Sequence, residues 1–182
     1  IGEVVESNNI EYPVGSIVNA RTAWEEISVL NGTDLCTKLS PSEGVPLHLY
    51  LSTLGLTGMT AWVGMHRVGH PKSGETVVVS AAGGAVGTVA GQLAKAAGCK
   101  VIGLTSTRDK ADWLETEVGY DIVIDRETRP NLDMTLREVA PEGIDLFFDN
   151  VGGNVLDTAM GQLREGARLV LSGAISEYEG PV

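Results

Sequence analysis

One run near the middle of the chain constrains the fold most: an apolar strand that leads directly into a glycine-rich turn and a helix. Residues 76–80 (TVVVS) form the strand pattern, and residues 82–87 (AGGAVG) form the turn. In the G-x-G-x-x-G template the glycine positions fall on Ala82, Gly84 and Gly87. A helix start of this kind offers free N–H groups to phosphate. The run predicts a dinucleotide site, and a tight turn without a ligand remains the alternative.

The rest of the C-terminal part alternates short β-branched runs with amphipathic helices. The predicted strands are 76–80, 100–104, 122–124, 144–149 and 168–172, and the predicted helices are 85–97, 109–118, 132–139 and 155–163. Strands that are apolar on both faces and joined by helices indicate a parallel sheet covered on both sides. With right-handed crossovers, the pattern predicts an α/β fold of the Rossmann-type doubly wound class, with its first strand near the centre.

The N-terminal part has a different pattern. Extended runs at 2–5, 16–20 and 24–29 are separated by Asn, Gly and Pro residues, which is typical of a small β-rich unit. A Pro- and Gly-containing segment at 41–44 and broken helical spacing over 47–68 follow. We therefore expect residues 1–45 to be part of one domain and residues 46–182 to form the doubly wound domain. The absence of an initiator methionine indicates a piece of a longer protein.

Composition favours some classes of partner and cellular location over others. The formal net charge of −11 disfavours binding to nucleic acid or to an anionic membrane, and a small-molecule partner fits better. Neither a membrane helix nor a signal peptide is evident. The two cysteines, Cys36 and Cys99, are isolated, so neither a disulfide framework nor a clustered zinc site is indicated. These features favour a cytoplasmic location.

The end of the second predicted strand is informative about the choice of cofactor. An NAD enzyme carries an Asp or Glu there, whereas this strand continues into residues 105–110 (TSTRDK). The hydroxyls, including that of Ser106, and the cations Arg108 and Lys110 suit an additional 2′-phosphate. The segment therefore predicts NADP(H). Two alternatives remain: an ordinary solvated helix start, and a late-acting Asp109 that would favour NAD.

Metal and nucleophilic chemistry are not indicated. His66 and His70 are spaced to meet on one helix face, but they lack the H-E-x-x-H pattern and a neighbouring cysteine, so no metal ligands are predicted. Ser80 lacks the G-x-S-x-G elbow of a catalytic serine.

The chain resembles the medium-chain dehydrogenase/reductase superfamily, and within it the zinc-free branch of prostaglandin reductases, leukotriene dehydrogenases and alkenal reductases. The segments that carry the resemblance are 4–8 (VVESN), 55–62 (GLTGMTAW), 80–87 (SAAGGAVG), 148–153 (FDNVGG) and 172–178 (SGAISEY). The resemblance implies a protein of about twice this length, in which residues 1–45 end an incomplete GroES-like substrate domain. It also implies that residues 46–182 form an NADP-binding Rossmann domain that lacks its last strand.

The resemblance also implies the roles of individual residues. The pyrophosphate would lie at Gly84, Ala85, Val86 and Gly87, and the 2′-phosphate at Lys110. Arg126 stands where the family often has a tyrosine near the adenosine phosphate. Asn150, which ends the fourth strand, would lie near the nicotinamide, although a structural turn is the competing interpretation. The residues that would line the nicotinamide are Ser172, Gly173, Ala174, Ile175, Ser176 and Tyr178.

The activity implied is NADPH-dependent reduction of the carbon–carbon double bond of α,β-unsaturated ketones or aldehydes (enones and enals). Such a reaction needs a hydrogen-bond donor for the enolate oxygen, and Tyr178 is the candidate, with a packing role as its alternative. A quinone reductase and a non-catalytic NADPH-binding protein are competing hypotheses. An unpaired sheet edge after the fifth strand would allow a homodimer.

Overall fold

The computed structural model describes residues 1–31 and 37–178, so Cys36 lies outside the described residues. Contacts divide the chain into two compact units, Ile1–Leu51 and Ser52–Val182. The division falls six residues after the boundary expected at residue 45. Assignment of the first unit to a GroES-like domain stays a prediction.

The first unit contains a small antiparallel sheet. Its strands are β1 (Gly2–Glu3), β2 (Ile17–Asn19) and β3 (Thr37–Lys38), in that order across the sheet, and a 3₁₀ helix follows at Leu47–Leu51. The expected extended run at 24–29 is wrong: it contains bends and no strand. Trp24 and Val29 are fully exposed there, and among the described residues this segment pairs with no strand.

The second unit alternates helices with strands, as expected. Its helices are α1 (Leu56–Val63), α2 (Ala85–Ala96), α3 (Arg108–Trp113), α4 (Leu132–Val139) and α5 (Gly153–Met160), and π-helical turns at Gly64–Gly69 and Leu114–Val118 extend α1 and α3. Its strands are β4 (Thr76–Val79), β5 (Lys100–Thr105), β6 (Ile122–Asp125), β7 (Ile144–Asp149) and β8 (Leu163–Leu171).

The five strands are parallel, in the order β6-β5-β4-β7-β8. The first strand of the unit, β4, is therefore central, and the Rossmann-type doubly wound fold is confirmed. The chain moves outward from β4 to β6 and returns to β7 on the other side of β4. In folds of this kind, ligands bind where the order reverses, beyond the carboxyl ends of β4 and β7.

Alternate residues of the central strands belong to two separate cores. Val77 and Val79 pack with α1, α2 and α3 on one face, whereas Val78 packs with α4 and α5 on the other. On β7, Phe148 belongs to the first of these cores and Phe147 to the second, and both are fully buried. Burial on both faces explains why these strands read as continuous apolar runs. None of the helices described over 1–31 and 37–178 is long and apolar enough to span a membrane.

Several expected boundaries differ by one or two residues, and two differ by more. Helix α5 ends at Met160, and Leu163, expected in that helix, begins β8. The pairing of β8 with β7 shifts register between Leu163 and Arg168, around Gly166 (φ 77°). The polar residues Arg164 and Glu165 interrupt the apolar pattern at this shift, which is why the sequence indicates only the second half of the strand.

Candidate functional site at the carboxyl edge of the sheet

The glycine-rich turn connects β4 to α2. The first helical bond of α2 runs from the Thr88 N–H to the Gly84 carbonyl, at 2.9 Å. The N–H groups of the three preceding residues, Ala85, Val86 and Gly87, lie ahead of this bond and have no partner within the helix. A Cβ on Gly87 would lie 2.4 Å from the Ala81 carbonyl oxygen, so only glycine allows this close packing. The predicted turn therefore has the backbone that anion binding requires.

A buried tyrosine supports the turn from the other side of α2. The Tyr120 hydroxyl donates to the Gly87 carbonyl at 2.8 Å, and burial raises the pKa of this phenol. Its ring occupies the space that side chains on Gly91 and Gly103 would otherwise fill. Tyr120 thus ties the first turn of α2 to the segment before β6. Sequence reasoning did not identify this residue.

Lys110 lies directly beside the turn. A Cβ on Gly83 would lie 3.2 Å from Lys110 Cδ, so the aliphatic part of the lysine rests on Gly83. Arg108 instead forms an ion pair with Asp112, one turn further along α3. Ser106 is exposed between the end of β5 and α3. Of the two cations predicted near the 2′-phosphate, Lys110 is therefore the one placed against the turn.

Arg126 lies at the end of the neighbouring strand. Its N–H donates to the carbonyl of Thr105 at 3.0 Å, and its side chain is exposed. The preceding Asp125 is almost fully buried, and its carboxylate accepts the Glu127 N–H and the Thr128 hydroxyl at 3.0 Å each. This carboxylate is thus engaged by its own turn. The ends of β5 and β6 bring Ser106 and Arg126 to the same edge of the sheet as Lys110.

A fully buried aspartate, Asp149, organises the edge between β4 and β7. Its carboxylate accepts the Ser80 hydroxyl at 2.7 Å and the N–H groups of Val151 and Gly152 at 3.0 and 2.9 Å. The Ser80 Oγ in turn accepts the Asn150 N–H at 2.7 Å. Asp149 was not predicted, although an acid that directly ends an apolar strand is a signal that sequence analysis can use.

Asn150 is fixed by the same network. Its side-chain amide donates to the Ser80 carbonyl at 2.8 Å, which links the ends of β7 and β4. This bond gives Asn150 a structural role at this edge of the sheet. Its predicted contact with the nicotinamide stays a prediction.

The segment after β8 folds back onto the end of β7. The N–H groups of Ser172 and Gly173 donate to the Asp149 carbonyl, at 2.8 and 3.1 Å. Further along, Ser176 donates to the Val151 carbonyl through both its N–H, at 3.0 Å, and its hydroxyl, at 2.6 Å. The predicted nicotinamide lining, with Ala174 and Ile175 between these residues, is therefore held against β7 by backbone bonds.

Tyr178 lies at the end of this segment. Its hydroxyl accepts the Ala174 N–H at 3.1 Å, and its side chain is 69% exposed. The phenol proton is therefore available to an external acceptor, because the observed bond uses only an oxygen lone pair.

The two histidines whose spacing was considered for a metal site, and rejected, lie on the segment that follows α1. His66 stacks on Trp62 with the ring centroids 5.2 Å apart, and His70 ends the π-helical turn in a left-handed conformation. In residues 1–31 and 37–178, no group of three or more His, Cys, Asp or Glu side chains is placed to hold a metal ion.

The strand order, its reversal at β4 and β7 and the glycine-rich helix start define the class of this protein: it has a Rossmann-type domain of the dinucleotide-binding kind. Residues 85–181 match the family model described as zinc-binding dehydrogenase. The chain belongs to this family, and its resemblance to the prostaglandin and alkenal reductase branch of the medium-chain dehydrogenase/reductase superfamily is confirmed.

Individual relatives agree with this assignment. The chain is 42% identical over 179 residues to prostaglandin reductase 1 of Bos taurus, which covers 98% of this chain and 54% of that protein. It is 39% identical over 178 residues to the NADP⁺-dependent 2-alkenal reductase of Nicotiana tabacum. This match covers 98% of this chain and 52% of that protein. The chain thus spans about half the length of the curated relatives it matches.

A solved structure shows the same fold. CurA from Vibrio vulnificus is 38% identical, with a TM-score of 0.86 over 99% of this chain and 52% of that protein. The complex of CurA with NADPH gives a TM-score of 0.81 at 36% identity, over 99% of this chain and 54% of that one.

Proposed function

We propose that this chain is the cofactor-binding part of an NADPH-dependent reductase that acts on the carbon–carbon double bond of enones or enals. The observation that carries the proposal is the placement of Lys110 across Gly83, beside the glycine-rich turn. The tip of β5 carries no acid, and a cation at this position suits a 2′-phosphate better than a ribose hydroxyl. The kinship with NADP-dependent reductases supports the same cofactor.

The chain offers groups for each part of the cofactor. The N–H groups of Ala85, Val86 and Gly87 would hold the pyrophosphate, together with the positive end of the α2 dipole. Lys110, with Ser106 and Arg126 at the neighbouring strand ends, would hold the 2′-phosphate. Asn150 and the segment from Ser172 to Tyr178 would line the nicotinamide.

The chemistry divides between cofactor and protein. When bound, NADPH supplies the hydride that adds to the β-carbon of the substrate. The protein has to exclude water, orient the substrate and stabilise the negative charge on the enolate oxygen. Tyr178 is the proposed donor, since its proton is not used in the observed hydrogen bond. The proposed reaction needs no zinc, because a hydrogen-bond donor can stabilise the enolate.

The setting is also part of the proposal. We infer a cytoplasmic protein whose residues 1–45 belong to a GroES-like substrate domain. Among the described strands, β8 is an outer strand of the parallel sheet, and its edge would allow pairing with a second copy. Analytical ultracentrifugation of the purified protein would test this dimer, and a monomer at micromolar concentration would contradict it.

The first experiment is a calorimetric titration of the chain with NADPH and, separately, with NADH. We expect NADPH to bind about tenfold more tightly or better, which corresponds to about 1.4 kcal/mol. Equal affinities would implicate Asp109 and favour NAD. Failure to bind either cofactor would contradict the proposal.

A further inference from the structure

The contact between Lys110 and Gly83 involves most of the lysine side chain. A Cβ on Gly83 would lie 3.2, 3.5 and 3.6 Å from the Cδ, Cβ and Cγ atoms of Lys110. Gly83 directly precedes Gly84, the N-cap of α2, and Lys110 lies in the first turns of α3. The lysine stem therefore runs from the start of α3 to the residue that precedes the N-cap of α2.

The ammonium of Lys110 is not held by an ion pair in the part of the chain that the structure describes. No ion pair forms between Lys110 and an acid among these residues, whereas nearby Arg108 is paired with Asp112. The chain as a whole has a net charge of −11. A cation that is left unpaired in an acidic protein is available to an anionic ligand.

We propose that Gly83 is a specificity-determining residue for the cofactor, because its missing side chain lets Lys110 lie on the phosphate turn and directs the ammonium to the 2′-phosphate. This inference rests on the proposed function. A methyl group at position 83 would displace the lysine stem by a few tenths of an ångström. Since the stem holds the ammonium, the displacement weakens only the contact that distinguishes NADPH from NADH.

The backbone of Gly83 makes this idea testable by a single methyl group. Gly83 is not among the glycines with positive φ, so alanine is tolerated by the backbone. Gly161 provides a matched control: it has φ −65°, it lies at the end of α5, and an added Cβ would meet the Thr158 carbonyl at an ordinary 3.4 Å. Any general effect of replacing glycine with alanine appears in this control as well.

The experiment measures the Kd of NADPH and of NADH for the chain and for Gly83→Ala, Gly161→Ala, Lys110→Ala and the double variant Gly83→Ala/Lys110→Ala. We expect Gly83→Ala to weaken NADPH binding by about three- to tenfold and NADH binding by less than about twofold. The double variant should have the same ratio of NADPH to NADH affinity as Lys110→Ala alone, because the methyl group at position 83 then has no lysine to displace. Gly161→Ala should bind both cofactors as the original chain does.

Four outcomes would overturn the inference. If Lys110→Ala abolishes the preference for NADPH while Gly83→Ala retains it, then Gly83 does not direct the lysine. Equal losses for both cofactors in Gly83→Ala would mean that the methyl group obstructs the pyrophosphate instead. If the original chain has no preference for NADPH, the cofactor assignment fails, and the inference fails with it. Thermal unfolding verifies that each variant is folded; if Gly83→Ala is not, the glycine is required by the backbone itself and the inference fails.

Discussion

At the scale of single residues, Asp149 is the centre of the candidate site. Its carboxylate holds Ser80 and the turn after β7, and its carbonyl accepts the N–H groups of Ser172 and Gly173. It therefore connects the ends of β4, β7 and β8. A fully buried carboxylate is costly unless hydrogen bonds satisfy it, and three donors do so here.

Replacement of Asp149 by asparagine tests this role. Asparagine has nearly the same shape as aspartate, but its NH₂ group replaces one of the two carboxylate oxygens. That NH₂ group would face one of the donors to Asp149, and this buried donor would lose its acceptor. We expect the free energy of unfolding to fall by about 1–3 kcal/mol in urea titrations. Ser80→Ala removes one donor to Asp149 and also the acceptor of the Asn150 N–H, so it should destabilise the fold by a similar amount. A variant as stable as the original chain would contradict the role of Asp149.

Lys110→Ala tests the assignment of the 2′-phosphate. We expect NADPH affinity to fall by about tenfold or more, while NADH affinity changes by less than about twofold, because a charge-assisted bond to phosphate is lost only for NADPH. Calorimetry measures both affinities. Arg108→Ala is the matched control, since Arg108 is engaged by Asp112. Similar losses for both cofactors would remove Lys110 from the specificity site.

Tyr178→Phe separates binding from catalysis in the full-length enzyme. We expect kcat for an enone to fall by about tenfold or more, because the proposed donor to the enolate oxygen is lost. The Kd for NADPH should change little. The rate of NADPH oxidation, followed by stopped flow, would check the expected fall in kcat. An unchanged rate would exclude Tyr178 as the donor.

At the scale of elements, Arg168 ties β8 to the rest of the sheet. Its guanidinium donates to both carboxylate oxygens of Glu75 before β4, at 2.8 and 2.5 Å, and to the carbonyls of Gly69, His70 and Asp145. The side chains of Arg168 and Glu75 are only 26% and 17% exposed. The pair thus joins two strands and a helix end at the amino edge, opposite the candidate site.

This pair predicts a pH dependence of stability. The hydrogen bond from Arg168 holds the pKa of Glu75 below its ordinary value. A lowered carboxyl pKa stabilises the fold above the unfolded pKa, about 4.3, and this contribution disappears as the pH falls through the folded pKa. We expect Glu75→Gln to lose about 1–2 kcal/mol at pH 7 in urea titrations and progressively less below about pH 4. A pH-independent difference would contradict this account.

The elements that the sequence predicts well are those with a local signal. The turn from β4 to α2 is recognisable because its strand, glycines and helix are contiguous, and α4 was predicted with its observed ends. β3 was missed because a strand of two residues depends on a partner elsewhere in the chain. The contacts of Asp149 with Ser80 and of Lys110 with Gly83 were missed for the same reason, since each joins residues from different elements.

At the scale of the whole molecule, the chain holds the candidate cofactor site, and the substrate class remains to be measured. Because the chain spans about half of its relatives, assays of substrate class belong to the full-length enzyme. We expect it to oxidise NADPH in the presence of an enone and much more slowly with a quinone, followed at the absorbance of NADPH. Faster turnover of the quinone would favour the competing reductase, and binding without any turnover would favour a non-catalytic protein.

The link between Ser80 and Asp149 also bears on how the protein assembles. These residues are 69 positions apart, so their hydrogen bond closes a long loop, and contacts of such sequence separation form slowly. The candidate site between β4 and β7 is therefore absent until β7 has docked beside β4. If a dinucleotide binds there as proposed, it would stabilise only the completed sheet, by mass action on the native state. In the cell, the supply of cofactor would then influence how much of the newly made chain survives as folded protein.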